Sequence, residues 1–377
     1  MIEIGQRITV VKDTSQATGE CRDMTSVTQD KSMAAGMEVM SGRRQARIGI
    51  IGVGSMGADH ARTLFLNSPA AIVTAISDFN TERAREIATE VGAKRVHADP
   101  IDLINDPEVN GVLIASPDDT HARLVSECLK AGKRVLCEKP LAPTPRECFD
   151  LLTMEMKTGR RLIDVGFMRR FDAGYNELRA VLRSKELGDP LMLHCIHRNP
   201  STPPGWTSEM QITAAAVHEI DIIRWLTHSE ITRVQVIMPR SRTESNIADP
   251  MLVILQTEGG IVCTISLFVQ GQNGYEVSTE LLCDNGSVSA GANGSVTRRV
   301  GGQSIRALDP SYRERFADAY RTELQGWAVS IADENPNTKL ASAWDGYAAS
   351  AVGIACIQSM QRGEAVDVEI DVKPTFY

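Results

Sequence analysis

A lysine, a histidine and a cluster of glycines carry the chemistry most visible in this chain. Lys139 stands in C-E-K-P, at the end of the apolar run RVLC. An ammonium held there can stabilise a developing alkoxide, and Pro140 stiffens the exit behind it. His218 stands in ITAAAVHEID, and its imidazole titrates close enough to neutral pH to take a proton from a hydroxyl. If 212–221 is helical, Ala214 lies one turn before His218 on the same face and offers it only a methyl. His218, Glu219 and Asp221 are the one cluster suggestive of a metal, yet i, i+1 and i+3 diverge around a helix, so no metal is predicted.

Gly52-Val53-Gly54-Ser55-Met56-Gly57 fits G-x-G-x-x-G, whose glycines permit a tight turn and bring a pyrophosphate onto the positive end of the next helix. An apolar run precedes it, and Asp78 ends the next run at roughly the 20-residue distance required of a ribose-binding acid. That carboxylate accepts from ribose hydroxyls and repels a 2'-phosphate, so NAD is favoured over NADP. A methyltransferase using S-adenosylmethionine shares these features and stays open at this point. GFMRRFDAGY sets Arg169 and Arg170 beside aromatics, suited either to binding hydroxyls or to surface ion pairs. His197 and Asn199, two apart in HCIHRNP, project from one strand face, while His194 faces the other way.

These residues need elements to hold them. ARIGIIGVG, AAIVTAISD, GVLIAS and RVLCEK read as buried strands, with helical segments between them and a capping box at Thr144 and Glu147. Such alternation predicts an α/β doubly wound parallel sheet, a Rossmann domain over 46–165. From about Pro190, PLMLHCIHRN, TRVQVIMPR, MLVILQ, GIVCTISLFVQ and YEVSTELLC follow with few helices. They predict a second α/β domain over 166–377, built on an open, mostly antiparallel sheet and closed by a helix over 342–361. Residues 1–45 are polar, with no apolar core of a secretory signal, and read as a mobile extension in which Met33, Met37 or Met40 can equally be the start.

A length of 377 residues exceeds one ordinary core, since cores stop growing near ~250–300 residues. A net charge of -8 argues against nucleic-acid binding. No apolar run approaches the roughly 20 residues that span a bilayer. Eight scattered cysteines form no C-x-x-C pair, as expected of reduced thiols in a cytoplasm.

As an ordered set, IGIIGVGSMG, CEKPLA, VGFMRRFDAGY, HRNPST, VHEIDIIRWL, DPMLVILQTEGGI, NGYEV, AWDGYAA and KPTFY resemble the glucose-fructose oxidoreductase and inositol dehydrogenase family, on the side of its inositol 2-dehydrogenases. The resemblance covers the chain from about Arg47 to Tyr377 and implies a Rossmann domain followed by an open-sheet domain, assembled as a homotetramer. It implies NAD-dependent oxidation of a ring secondary hydroxyl of an inositol, or a related cyclitol or sugar, to a ketone. Lys139 is then the group on the reacting oxygen and His218 the general base. Met168, Arg169, His197, Asn199 and Tyr275, with Ala214, line the substrate pocket. Gly52, Gly54, Ser55, Met56, Gly57, Asp78, Ser116, Pro117, His121 and Glu138 are expected on the cofactor. Two positions depart from the pattern. The inositol enzymes carry an acid at the position of Ala214, forming a dyad with the histidine, and often an aromatic at Asn273. Glu209 is a candidate replacement for the missing acid. The alternatives are an NAD- and sugar-binding homologue with impaired catalysis and an NAD-recycling lyase or glycosidase.

Overall fold

The computed structural model describes residues 44–241, 245–272, 274–291 and 297–377, so most of the polar extension and Asn273 lie outside the described residues. Residues Arg44–Tyr377 form one compact unit. Its first sheet is built from β1 (Ala46–Ile51), β2 (Ala71–Ser77), β3 (Arg95–His97), β4 (Gly111–Ile114), β5 (Arg134–Cys137) and β6 (Ile163–Val165). The order is β6-β5-β4-β1-β2-β3, all parallel, and the short strand Ala341–Ser342 adds an antiparallel edge outside β6. Buried on both faces, β4 and β5 have no exposed position, which is why they are continuous apolar runs rather than alternating ones. The order reverses between β1 and β4, the crevice where open α/β sheets hold ligands.

The second sheet contains β7 (Pro190–Arg198), β8 (Ile231–Ile237), β9 (Met251–Thr257), β10 (Val262–Phe268), β11 (Glu276–Cys283) and β12 (Gly286–Ala290). It runs β12-β11-β7-β10-β9-β8, with Val366–Asp367 beyond β8, and every pair is antiparallel except β7 with β10. Alternation along β7 buries Leu193, Cys195 and His197 on the inner face and leaves His194 and Ile196 half-buried on the outer one.

The predicted capping box forms: Thr144 Oγ1 accepts from Glu147 N at 3.2 Å, and Gly159 closes that helix with a φ of 69°. The closing helix runs Ala343–Arg362 behind a second capping box of Ser342 and Asp345 and packs on the helix Pro145–Thr158. The segment around His218 differs from a plain helix. Gln211–Ala216 is a π-helical turn and the α-helix starts only at Val217. No helix among the described residues is long and apolar enough to cross a membrane.

Candidate active site

The glycine turn lies between β1 and the helix Ser55–Asn67. Gly52 has a φ of +84°, and a Cβ on it would lie 2.6 Å from Ser116 N. A Cβ on Gly57 would lie 1.8 Å from Gly52 O, so both positions require glycine for the chain's own packing. Gly54 differs: nothing lies within 4 Å of the Cβ it lacks, leaving open space on the turn where a phosphate can approach the backbone. As the N-cap of that helix it supplies no side chain to the first-turn amides, which stay available to an anion. Asp78, at the end of β2, accepts from Val53 N at 2.7 Å and from Asn80 N at 2.8 Å. These two amides fix its carboxylate beside the turn and leave it further lone pairs for ribose hydroxyls. The turn therefore fits a dinucleotide.

From Ser55 and Met56 a cleft of ≈ 760 Å³ runs past Glu138, Lys139, Met168, His197, Asn199, Ala214, His218 and Tyr275. Lys139 enters it from the end of β5, just before a cis peptide to Pro140. Its ammonium donates to Ala214 O at 3.3 Å, and no ion pair forms on it among the described residues. Burial, and next the charges of Arg169, Lys139 and His197, push the His218 pKa well below the usual histidine range, so the ring is neutral. Its Nδ1 is buried without a hydrogen-bond partner.

The two carboxylates following His218 go elsewhere. Glu219 accepts from the Arg169 guanidinium and from His197 Nδ1, while Asp221 accepts from Arg170 Nε at 2.9 Å. The three side chains diverge as a helix dictates, and no metal-holding group occurs among the described residues. Glu209 is not the substitute partner of His218. It is exposed and accepts from Gln361 Nε2 at 3.1 Å.

Two further expectations change place. Arg169 is fully buried behind the cleft, held by Glu219, rather than lining it. His121 has both ring nitrogens on backbone carbonyls, Pro140 O at 2.7 Å and Ser116 O at 3.0 Å, so it has no nitrogen left for a cofactor and instead ties the end of β4 to the turn after Lys139. Ser116 bonds Thr120, and Pro117 opens the helix Asp118–Lys130 beside them.

The sequence reading missed several groups. His60 Nε2 meets Glu138 Oε1 at 2.7 Å, and Glu138 Oε2 accepts from Lys139 N at 3.2 Å. His60 lies three residues beyond Gly57, one helical turn on, which is the spacing that could have flagged it. Tyr312, Arg313 and Tyr320 also line the cleft, with no motif around them. Arg313 reaches the glycine turn through Ser55 Oγ and pairs with Asp59 at 2.6 Å.

Residues 46–167 match the model of an oxidoreductase family with an NAD-binding Rossmann fold, and residues 175–289 match the GFO/IDH/MocA C-terminal domain. The chain is 45% identical over 334 residues to inositol 2-dehydrogenase 1 of Saccharopolyspora erythraea, covering 88% of this chain and 98% of that one. It is 37% identical over 346 residues to inositol 2-dehydrogenase of Rhodococcus jostii, covering 88% and 94%. A solved structure of myo-inositol dehydrogenase from Lactobacillus casei, in complex with NAD(H) and myo-inositol, superposes with a TM-score of 0.85 at 32% identity, covering 88% of this chain and 99% of that one. With a glycine turn that fits NAD and an open second sheet behind the cleft, this chain belongs to the glucose-fructose oxidoreductase and inositol dehydrogenase family of NAD-binding oxidoreductases.

Proposed function

We propose that this chain oxidises a ring secondary hydroxyl of an inositol to the ketone, with NAD as oxidant. The observation that carries the proposal is the continuity of one cleft from Ser55 and Met56 of the glycine turn to Lys139, His197, Asn199 and His218. The inositol named for the relatives and bound in the Lactobacillus casei structure supports the choice of ligand. NAD, when bound, supplies the hydride acceptor. Lys139, whose ammonium has only a carbonyl to leave, turns to the substrate oxygen and stabilises the charge that grows there. His218, held neutral, accepts the hydroxyl proton. Met168, His197, Asn199, Tyr275 and Ala214 bound the ring, and Arg169 supports it from behind. On the cofactor side Asp78 takes the ribose hydroxyls, the amides after Gly54 take the pyrophosphate, and Ser116, Pro117 and Glu138 shape the wall beside them, with His121 buried behind it.

The same geometry sets the rate. With Nδ1 unpartnered, no group fixes which nitrogen of His218 is protonated, and loss of such orientation costs orders of magnitude in related hydrolytic sites. Turnover is therefore expected to be slow. The test is NAD reduction followed by absorbance with myo-inositol and its epimers. NAD binding without its reduction by any cyclitol would sink the oxidation reading.

The outer face of the second sheet supports a homotetramer. Ile196, Leu252, Ile254 and Phe268 are only half-covered. Light scattering on the eluting protein gives the mass. The seven free, buried thiols among the described residues suit a reducing cytoplasm.

A further inference from the structure

In the sequence Glu219 is the neighbour of His218; in the fold it serves a different wall of the cleft. Its side chain is 1% exposed and both oxygens are engaged. Oε1 accepts from the Arg169 guanidinium, and His197 Nδ1 lies 3.0 Å from Oε1 and 3.1 Å from Oε2. Burial raises the acid's pKa, but Arg169 and then His197 outweigh it and hold the carboxyl down to about 2, so it is ionised. A carboxylate only accepts, and its contacts with Nδ1 are shorter than the 3.4 Å from that nitrogen to the donor-only Arg169 Nη2, so Nδ1 is the His197 nitrogen that carries a proton on this side. The ring is pinned on its other sides as well. Tyr275 packs against it at 5.9 Å between centroids and 79° between planes, and its Nε2 lies 3.1 Å from the Asn199 side-chain amide, whose NH2 end is the one that complements an unprotonated nitrogen. His197, Asn199 and Tyr275 line the cleft, whereas Glu219 and Arg169 do not.

We infer that Glu219 is a positioning residue that acts through His197 to set the hydrogen-bond polarity of the pocket floor, and with it which hydroxyl orientations of a cyclitol are accepted. The inference rests on the cyclitol reading above. Epimers of a cyclitol differ only in where each hydroxyl points. Discrimination therefore needs a donor and acceptor pattern that cannot reverse, because only then does the wrong epimer leave a buried group unpaired. A free imidazole can flip and exchange its roles. One held by a buried carboxylate cannot.

Glu219→Gln keeps the size but offers an amide that can donate to Nδ1, while Glu219→Asp keeps an acceptor. The readouts are the dissociation constants of NADH and of myo-inositol with NADH present, the 15N shifts of the His197 ring, and the same pair of constants in a His197→Asn background. In Glu219→Gln, inositol affinity is expected to fall about 10-fold or more, with NADH affinity within about 2-fold and the ring nitrogens exchanging their shifts. Glu219→Asp is expected to regain most of the affinity and the wild-type shifts. In the His197→Asn background, Glu219→Gln is expected to add nothing further. Parallel loss of NADH and inositol binding, an equal loss in both backgrounds, or unchanged ring shifts overturns the inference. The ring shifts need no inositol, so a wild-type protein that binds NADH but no cyclitol defeats the substrate reading and leaves the positioning role to be decided by those shifts.

Discussion

At the dinucleotide end of the cleft, the groups that matter are fixed by their surroundings: Gly52 and Gly57 are required by packing, and Asp78 is held by two amides. At the substrate end, Glu219 is held just as firmly, yet His218, one residue earlier, has an unpartnered Nδ1, and Lys139 has only a carbonyl. The contrast separates two kinds of precision. A site that must bind the same cofactor in every turnover tolerates complete internal satisfaction, whereas a reacting group must keep free capacity. Here that freedom extends to a buried nitrogen of His218. One end is therefore expected to be brittle to substitution and the other improvable.

The largest effect is expected from Lys139→Met. It removes the ammonium proposed to meet the substrate oxygen, and kcat/KM is expected to fall by ~10²–10³-fold, the usual loss for a charge-stabilising donor. Steady-state kinetics beside NADH titration checks this, and NADH affinity is expected to hold.

Next, the glycines separate packing from binding. Gly57→Ala drives a methyl into Gly52 O and is expected to destabilise the unliganded protein by ~3 kcal/mol or more. Gly54→Ala meets no protein atom, so its melting temperature without NAD stays put while NAD affinity falls. Equal melting losses in the two variants would erase the distinction.

Ala214→Asp probes the improvable end. A carboxylate near His218 is expected to raise kcat by ~10–100-fold by orienting the imidazole. It also shifts the pH profile in a defined direction. Burial and cations hold the His218 pKa low, so the acid limb of kcat/KM in the present chain lies below the usual histidine range. An added anion favours imidazolium, raises that pKa and moves the limb towards neutral pH. A limb that stays in place, or moves down, means the new carboxylate does not address the ring.

The smallest effect is expected from Tyr377→Phe. The Tyr377 hydroxyl donates to Glu155, whose other oxygen holds Leu162 N and Ile163 N, each at 2.6 Å. Losing that hydrogen bond is expected to lower stability by ~1 kcal/mol, seen as a small drop in melting temperature with kinetics unchanged.

Much of this architecture was legible because local signals agreed. The apolar run, glycine turn and helix around Gly52 all point the same way, and alternation along β7 puts His197 on the inner face without any knowledge of the fold. Lys139 was legible as a lysine at a strand end, while its role on the reacting oxygen came from the family resemblance. What escaped was the choice of partner. Nothing in ITAAAVHEID says that Glu219 will find Arg169, 50 residues earlier, rather than His218 beside it. The π-helical turn over Gln211–Ala216 has no compositional mark, since alanines adopt an ordinary helix more readily. Arg169 and His121 were expected at the ligands from the family resemblance. Tertiary packing placed both one layer back, held by protein atoms.

The edge strand Ala341–Ser342 has a practical meaning for anyone dividing this molecule. It pairs with β6 of the sheet that begins at Ala46, and the helix that follows it lies on Pro145–Thr158. A fragment ending near residue 167 would expose the ladder of β6 and an apolar helix face at once, an invitation to aggregate. The nucleotide half should be produced with its distant C-terminal segment, as a permuted fusion or as two co-expressed pieces.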